Sequence, residues 1–188
     1  MTIPDMRSKP LAFTDLDRRH AGVSPGLAAS FAEAVRVCLD RHHRSPSAFR
    51  VTGNQSEHRA TLEWQAAGGR LNAAWANTDD ATEYGAYGLS LAAIESTRGL
   101  VAVRRAETRT GADYYLGQPG ADPEDLELAF RLEVSGTDMG NEAAIQARVR
   151  EKLEQARLGR SNLPAIAAIA AVAGFAAARI VISDLTAP

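Results

Sequence analysis

Gly111-Ala112-Asp113-Tyr114-Tyr115-Leu116 and, after a polar loop, Phe130-Arg131-Leu132-Glu133-Val134-Ser135-Gly136 are the segments from which the fold of this chain is read. Side chains alternate across a strand, so Leu128, Phe130, Leu132 and Val134 fall on one face, and Arg131, Glu133 and Ser135 on the other. The apolar face requires a helix to cover it. A further strand-like run at 100–107 comes before them. The connections, Thr110-Gly111 and the polar stretch 117–125, are short enough to make strands over 100–107, 112–116 and 128–135 an antiparallel meander.

Helical spacing brackets the meander. Before it, a helix is expected to begin at Asp79 or Asp80, where Asp80 followed by Glu83 has the separation of a capping box, and Tyr84, Tyr87, Leu91 and Ile94 make a stripe that stops at Gly99. After it, Asn141 can cap a helix whose buried face is Ile145, Val149, Leu153 and Ala156, with Arg148, Arg150, Glu151, Lys152 and Glu154 in solvent and Gly159 as the stop. The β-branched content of 179–185 predicts a strand. Alanine propensity admits a helix over 165–175 and its position admits a strand; we take the strand, turning at Gly174. Upstream, Ser24 and Pro25 open a helix carrying Leu27, Phe31, Val35, Cys38 and Leu39, and Phe49–Val51 and Thr61–Trp64 flank a turn at 53–56, a hairpin closed by Gly68-Gly69. Residues 1–22 carry no period and read as an irregular arm. The expectation is one α/β domain with a central mixed sheet: arm 1–22, helix and hairpin 23–78, and a core over 79–188.

The chain of 188 residues is 45% hydrophobic, enough for one core. Its single cysteine, Cys38, lies on the apolar stripe and excludes an intrachain disulfide, and the start of the chain lacks a signal-peptide pattern, so a cytoplasmic protein is expected. The apolar stretch 163–178 is mostly alanine, broken by Pro164 and Gly174, and is expected in the core and not in a membrane. A net charge of −2 gives no global attraction to a phosphate backbone, so any contact with nucleic acid must be local.

Asp113 and Glu133 carry the most chemistry. If their strands pair, the two carboxylates come side by side, and adjacent carboxylates repel unless a cation lies between them. Mg²⁺ suits such a pair, because it takes one or two carboxylates and completes an octahedron at about 2.0–2.1 Å with waters and substrate phosphate. Bound there, the ion polarises a phosphodiester and activates a water.

The order helix, three strands, helix, strand, with Asp at the start of the second strand and Glu inside the third, resembles the PD-(D/E)xK, or restriction-endonuclease-like, nuclease superfamily over roughly 79–185. The resemblance implies an αβββαβ core and Mg²⁺- or Mn²⁺-dependent hydrolysis of DNA. It makes Asp113 and Glu133 the metal ligands and Glu83 an auxiliary carboxylate from the first core helix. Two positions depart from the family pattern: Ser135 stands where a Lys is usual, and Gly111-Ala112 precede Asp113 without the usual Pro. In some members the Lys moves to the following helix, which implies Lys152 as the substitute cation, with Arg148 and Gln155 as neighbouring candidates. Tyr114, Tyr115 and Arg105 are read as shaping a substrate groove, with packing as the ordinary role of aromatic residues on a strand.

Ordinary readings stand beside these. Glu83 also fits the capping box, Asp113 and Glu133 also fit half-exposed strands, and Lys152 and Arg148 also fit a solvated helix face. His42-His43 suit the negative end of a helix better than a metal, Ser135-Gly136 lacks the glycine of a nucleophile elbow, and 136–140 has no Lys-Ser/Thr pair for a phosphate loop. Two further functions remain open: a non-catalytic scaffold or regulatory subunit of a bacterial complex with this fold, acting through a protein partner or as a homo-oligomer, and a small-ligand-binding domain using the same sheet face.

Overall fold

The computed structural model describes residues 9–53, 56–108, 110–158 and 167–185. It is a mixed α/β structure. Among the described residues eight strands form one sheet: β1 (Lys9–Pro10), β2 (Ser47–Thr52), β3 (Glu57–Leu62), β4 (Val101–Arg105), β5 (Tyr114–Gly117), β6 (Phe130–Thr137), β7 (Ala168–Gly174) and β8 (Arg179–Leu185), in the order β1-β3-β2-β8-β7-β6-β5-β4. The helices are α1 (Pro25–His42), the short α2 (Gly69–Ala74), α3 (Thr78–Arg98) and α4 (Glu142–Leu158).

The meander and its sequel follow from the residue pattern. β4, β5 and β6 pair antiparallel, and β6 then runs parallel to β7, with α4 in the connection between them. β7 and β8 form a hairpin, so the alanine-rich segment is a strand wherever it is described, and residues 165 and 166 lie outside the described residues. Small side chains leave β7 room to be covered on both faces. Ile169, Ala171 and Ala173 face the main core under α1 and α3, while Val172 meets Ile145 and Val149 of α4 on the other side. Fully burying Ile169, Val172, Ile145 or Val149 is worth about 1.5–3 kcal/mol each, and an alanine methyl about 0.8 kcal/mol. The upstream hairpin joins the same sheet through a parallel β2–β8 pair and shares the main core.

Caps fix the helix ends. The Ser24 hydroxyl accepts from the Leu27 amide with Pro25 at the first position, Asn141 accepts from Ala144, and Gly99 ends α3 in the left-handed region at φ 65. The start of α3 differs from the capping box expected at Asp80 and Glu83. Asn77 is the cap, its side chain accepting from the Asp79 and Asp80 amides, which places both acids in the first turn, where the helix dipole favours them. Two other boundaries move. Leu128 is 91% exposed because the chain is still turning, through Ala129 N–H to the Leu126 carbonyl, before β6 begins at Phe130. Gly68-Gly69 does not simply close the hairpin but opens α2.

The arm is structured where it is described. β1 pairs parallel with β3, and Leu11, Phe13 and Leu16 are buried. The segment then reaches the opposite edge of the sheet, where Gly22 N–H donates to the Ala102 carbonyl and Ala102 N–H donates to His20 Nδ1 at 2.9 Å. A Cβ on Gly22 would sit 2.6 Å from the Arg104 nitrogen, which explains glycine there. His20 is fully buried. Because its Nδ1 accepts, its Nε2–H is the donor to Glu95 at 3.2 Å, and Glu95 also takes both Arg19 Nε contacts, at 2.8 and 2.9 Å.

Burial lowers the His20 pKa from its ordinary 6.5, against the opposing pull of Glu95. The unfolded chain therefore takes up the proton first as pH falls. The stability His20 contributes is full above about pH 6.5 and declines below it, towards the lowered native value. Urea titrations at pH 7.5 and 5.5 should show the wild type losing stability on acidification, with a shallower loss in His20→Asn. An unchanged slope in the variant would assign the acid sensitivity elsewhere.

Candidate functional site

The β5–β6 ladder ends at Tyr114↔Leu132, yet β6 continues to Thr137. The β5-side edge of β6 is therefore open beyond Leu132, and α3 and α4 rise on either side of it. The result is a groove of about 670 Å³, walled by Asp79, Thr82, Glu83 and Tyr87 on one side and Arg148, Glu151 and Lys152 on the other, with Asp113 and residues 134–138 along its floor.

Asp113 sits immediately before β5, and its carboxylate closes the ladder. Its backbone N–H donates to the Leu132 carbonyl at 2.7 Å, while Oδ2 accepts from Val134 N–H at 2.8 Å and Oδ1 from the Tyr87 hydroxyl at 2.7 Å. Arg105 Nη2 donates to the Tyr87 oxygen at 3.2 Å and lies 3.9 Å from Asp113 Oδ1. Burial, with Asp113 alongside, raises the Tyr87 hydroxyl well above its ordinary range, so it is a proton donor at neutral pH.

Glu133 faces α4, as alternation along β6 predicts. It is 5% exposed, and its Oε2 accepts from Lys152 Nζ at 3.1 Å. Lys152 also donates to Gln155 Oε1 at 2.9 Å. Burial pushes the Glu133 carboxyl above the ordinary range; Lys152 opposes that and the Asp113 charge adds to it. Two carboxylates thus act on each other here, with Lys152 and Arg131 offsetting Glu133 and Arg105 lying 3.9 Å from Asp113.

The structure therefore brings Glu133 and Lys152 into contact and places Asp113, Lys152 and Glu83 on one groove. Glu83 is exposed on the α3 wall. Among the described residues, no group of three or more His, Cys, Asp or Glu side chains is arranged to hold a metal ion. Arg148 lines the groove; Gln155 reaches it through its contacts with Lys152 and Glu151.

Tyr114 and Tyr115 do not shape the groove. Tyr114 is buried in the main core, and Tyr115 packs with Val101, Val103 and Ala129 on the other face of the sheet, as their alternation on β5 dictates. Arg105 acts at one remove, stacked 4.7 Å over the Tyr87 ring and 4.6 Å over that of Tyr114.

Two contributors escaped the sequence reading. Tyr87 was hidden in an apolar stripe that gave no sign of where its hydroxyl points. Asp138 lines the groove end and pairs with His42 at 3.0 Å and Arg41 at 3.5 Å, tying the C-terminal end of α1 to the loop after β6. His43 donates to the Phe175 carbonyl at 2.7 Å, so both histidines are structural ties. Burial pushes the Cys38 thiol up to about 12, consistent with an unreactive core cysteine.

Among the described residues no helix is long and apolar enough to cross a membrane. Compared with known protein families, curated proteins and solved structures, the chain has no match.

Proposed function

We propose that this protein is a divergent restriction-endonuclease-like domain that hydrolyses DNA phosphodiester bonds with Mg²⁺ or Mn²⁺. The observation that carries the reading is the placement of Asp113 and Glu133 at the open end of the β5–β6 ladder, with Lys152 reaching Glu133 from the next helix. A helix, a three-stranded antiparallel meander, a second helix and a strand parallel to the third is also the element order that the αβββαβ core requires.

The donor set is incomplete for Mg²⁺, since among the described residues no three ligating side chains converge and Glu133 does not line the groove, so an ion here would have few protein ligands. A carboxylate offers about four acceptor sites, of which Asp113 uses two and Glu133 one in the contacts above. Acidic side chains also outnumber basic ones along the groove, which favours a cation over a bare phosphate. Asp113 and Glu133 would hold the ion, with Glu83 as an auxiliary carboxylate; when bound, it supplies charge stabilisation at the phosphate and a water of lowered pKa. Lys152 supplies the positive charge that Ser135 cannot. The α3 and α4 walls limit access to the floor of the groove.

A non-catalytic subunit of the same fold is the second reading. It is favoured by Asp113, both of whose oxygens already accept hydrogen bonds from within the protein.

Calorimetric titration of Mg²⁺ and Mn²⁺, with cleavage assays on single- and double-stranded DNA, separates the two. The nuclease reading expects binding and cleavage in the wild type and neither in the Asp113→Ala/Glu133→Ala double variant. A folded wild type that binds neither ion and cuts neither substrate overturns it and leaves a scaffold that acts through a protein partner.

A further inference from the structure

Along β6 the backbone groups divide between two neighbours. The odd-numbered residues turn towards β7, with Arg131 N–H donating to the Ala167 carbonyl and the Thr137 carbonyl accepting from Phe175 N–H. The even-numbered residues turn towards β5, where the Leu132 carbonyl accepts from Asp113 N–H and Val134 N–H donates to Asp113 Oδ2 at 2.8 Å. There the pairing stops. Among the described residues, no hydrogen bond reaches the Val134 carbonyl or the N–H and carbonyl of Gly136.

Unpaired strand edges are templates for a further strand. This one lies not at the rim of the sheet, where β1 and β4 are, but inside the groove of about 670 Å³ between α3 and α4. Ser135, Gly136 and Thr137 are half-buried and line that groove. Backbone groups partly withdrawn from water gain from a partner that completes their hydrogen bonds.

The walls define which strand fits. Gly136 faces Thr82 and Ala86 of α3, and Glu133 faces Lys152 of α4, so the side chains of an added strand would alternate between the two helices. The α3 wall presents Asp79 and Glu83, both exposed and, among the described residues, without an ion-pair partner. The α4 wall is close to neutral, because Lys152 is held by Glu133 and the charges of Arg148 and Glu151 offset each other. Residues four apart on a helix are about 6 Å apart along its axis, and alternate residues of a strand repeat at about 6.6–6.8 Å. Long basic side chains at every second position can therefore meet both acids. A phosphate backbone would meet the same acids with the wrong sign, and it has no row of amides to pair with the edge.

We propose that the open edge of β6 is a docking site for an extended segment of a partner protein, which adds a short strand between α3 and α4 with Lys or Arg at alternate positions facing Asp79 and Glu83. The inference uses no metal and is independent of the nuclease reading.

The probe is a fluorescent octapeptide of alternating lysine and threonine, titrated by anisotropy into the full chain in the presence of EDTA. The comparison is a peptide of the same composition with its lysines in one block. The alternating peptide should bind at least about tenfold more tightly. Glu83→Lys, at an exposed position, should weaken it by about three- to tenfold. Two further peptides carry N-methyl groups on the lysine amides alone or on the threonine amides alone. Alternate amides of a strand point to opposite edges, so only one of the two should lose affinity, by about tenfold. In the complex, Gly136 N–H should exchange with deuterium more slowly than in the free chain.

Absence of binding, equal binding of the block peptide, unchanged affinity in a folded Glu83→Lys, equal effects of the two methylation patterns, or an unchanged exchange rate at Gly136 each overturns the inference. The methylated peptides leave the protein unaltered and carry the test should Glu83→Lys fail to fold.

Discussion

On the proposed nuclease reading, Asp113→Asn is expected to lower DNA cleavage by about 10³-fold or more, the equivalent of roughly 4 kcal/mol of lost transition-state stabilisation, and on any reading to destabilise the fold. Both effects come from the same two contacts. The native carboxylate faces two donors, the Val134 amide and the Tyr87 hydroxyl. An asparagine has one acceptor oxygen and one NH₂ group, so either orientation of the amide turns N–H towards a donor. Tyr87 cannot adapt by reversing its hydroxyl, because Arg105 already donates to that oxygen. One partly buried donor is left unpaired, which costs about 1–3 kcal/mol. Single-turnover cleavage with saturating Mn²⁺ measures the first effect and urea unfolding the second. Undiminished cleavage would remove Asp113 from the chemistry, and undiminished stability would show that the amide finds a second acceptor.

Gly136→Val is expected to be the most damaging substitution on the groove floor, and its effect is steric. A Cβ at this position would lie 2.8 Å from the Thr82 carbonyl oxygen and 2.9 Å from the Ala86 Cβ. The first of these is helix backbone and cannot move out of the way alone, so α3 would have to lift from β6 along the length of the site. Overpacking of this kind costs about 3 kcal/mol, which for a chain of this size lowers Tm by roughly 6–12 °C. Circular dichroism melts of Gly136→Ala and Gly136→Val should show a graded loss. Wild-type Tm in both would mean that the α3–β6 contact is looser than its geometry implies.

How much of this was legible in the sequence depended on where each element finds its partners. β6 was readable because Leu132, Glu133 and Val134 alternate within the strand itself, and that alternation correctly sends Glu133 to the α4 face. α4 and the end of α3 were readable because Asn141 and Gly99 act locally. The arm was not, since Leu11, Phe13 and Leu16 have no period and are buried by residues far along the chain. The α3 cap was misplaced because Asp80 and Asn77 are both competent caps, and only the backbone decides between them. At the site, the antiparallel pairing of the two strands followed from the pattern, although their ladder stops at Tyr114↔Leu132, one residue short of Asp113 and Glu133. The Tyr87 hydroxyl did not, because its direction is set by the packing of α3 on the sheet.

The segment carrying His20 and Gly22 also limits how this molecule can associate. Exposed strand edges are templates for pairing with another chain, and folded proteins blunt them with short strands, proline or covering segments. Two of these devices are present, at opposite ends of this sheet. At one end the described part of β1 ends in Pro10, which has no N–H to offer; at the other, the Ala102 N–H and C=O are both consumed by His20 and Gly22. The same stretch of chain guards both ends, so loosening it would uncover two sites for edge-to-edge aggregation at once. A partner that leaves the stretch in place has to bind on a helix face or in the groove, and not by adding a strand at either guarded position.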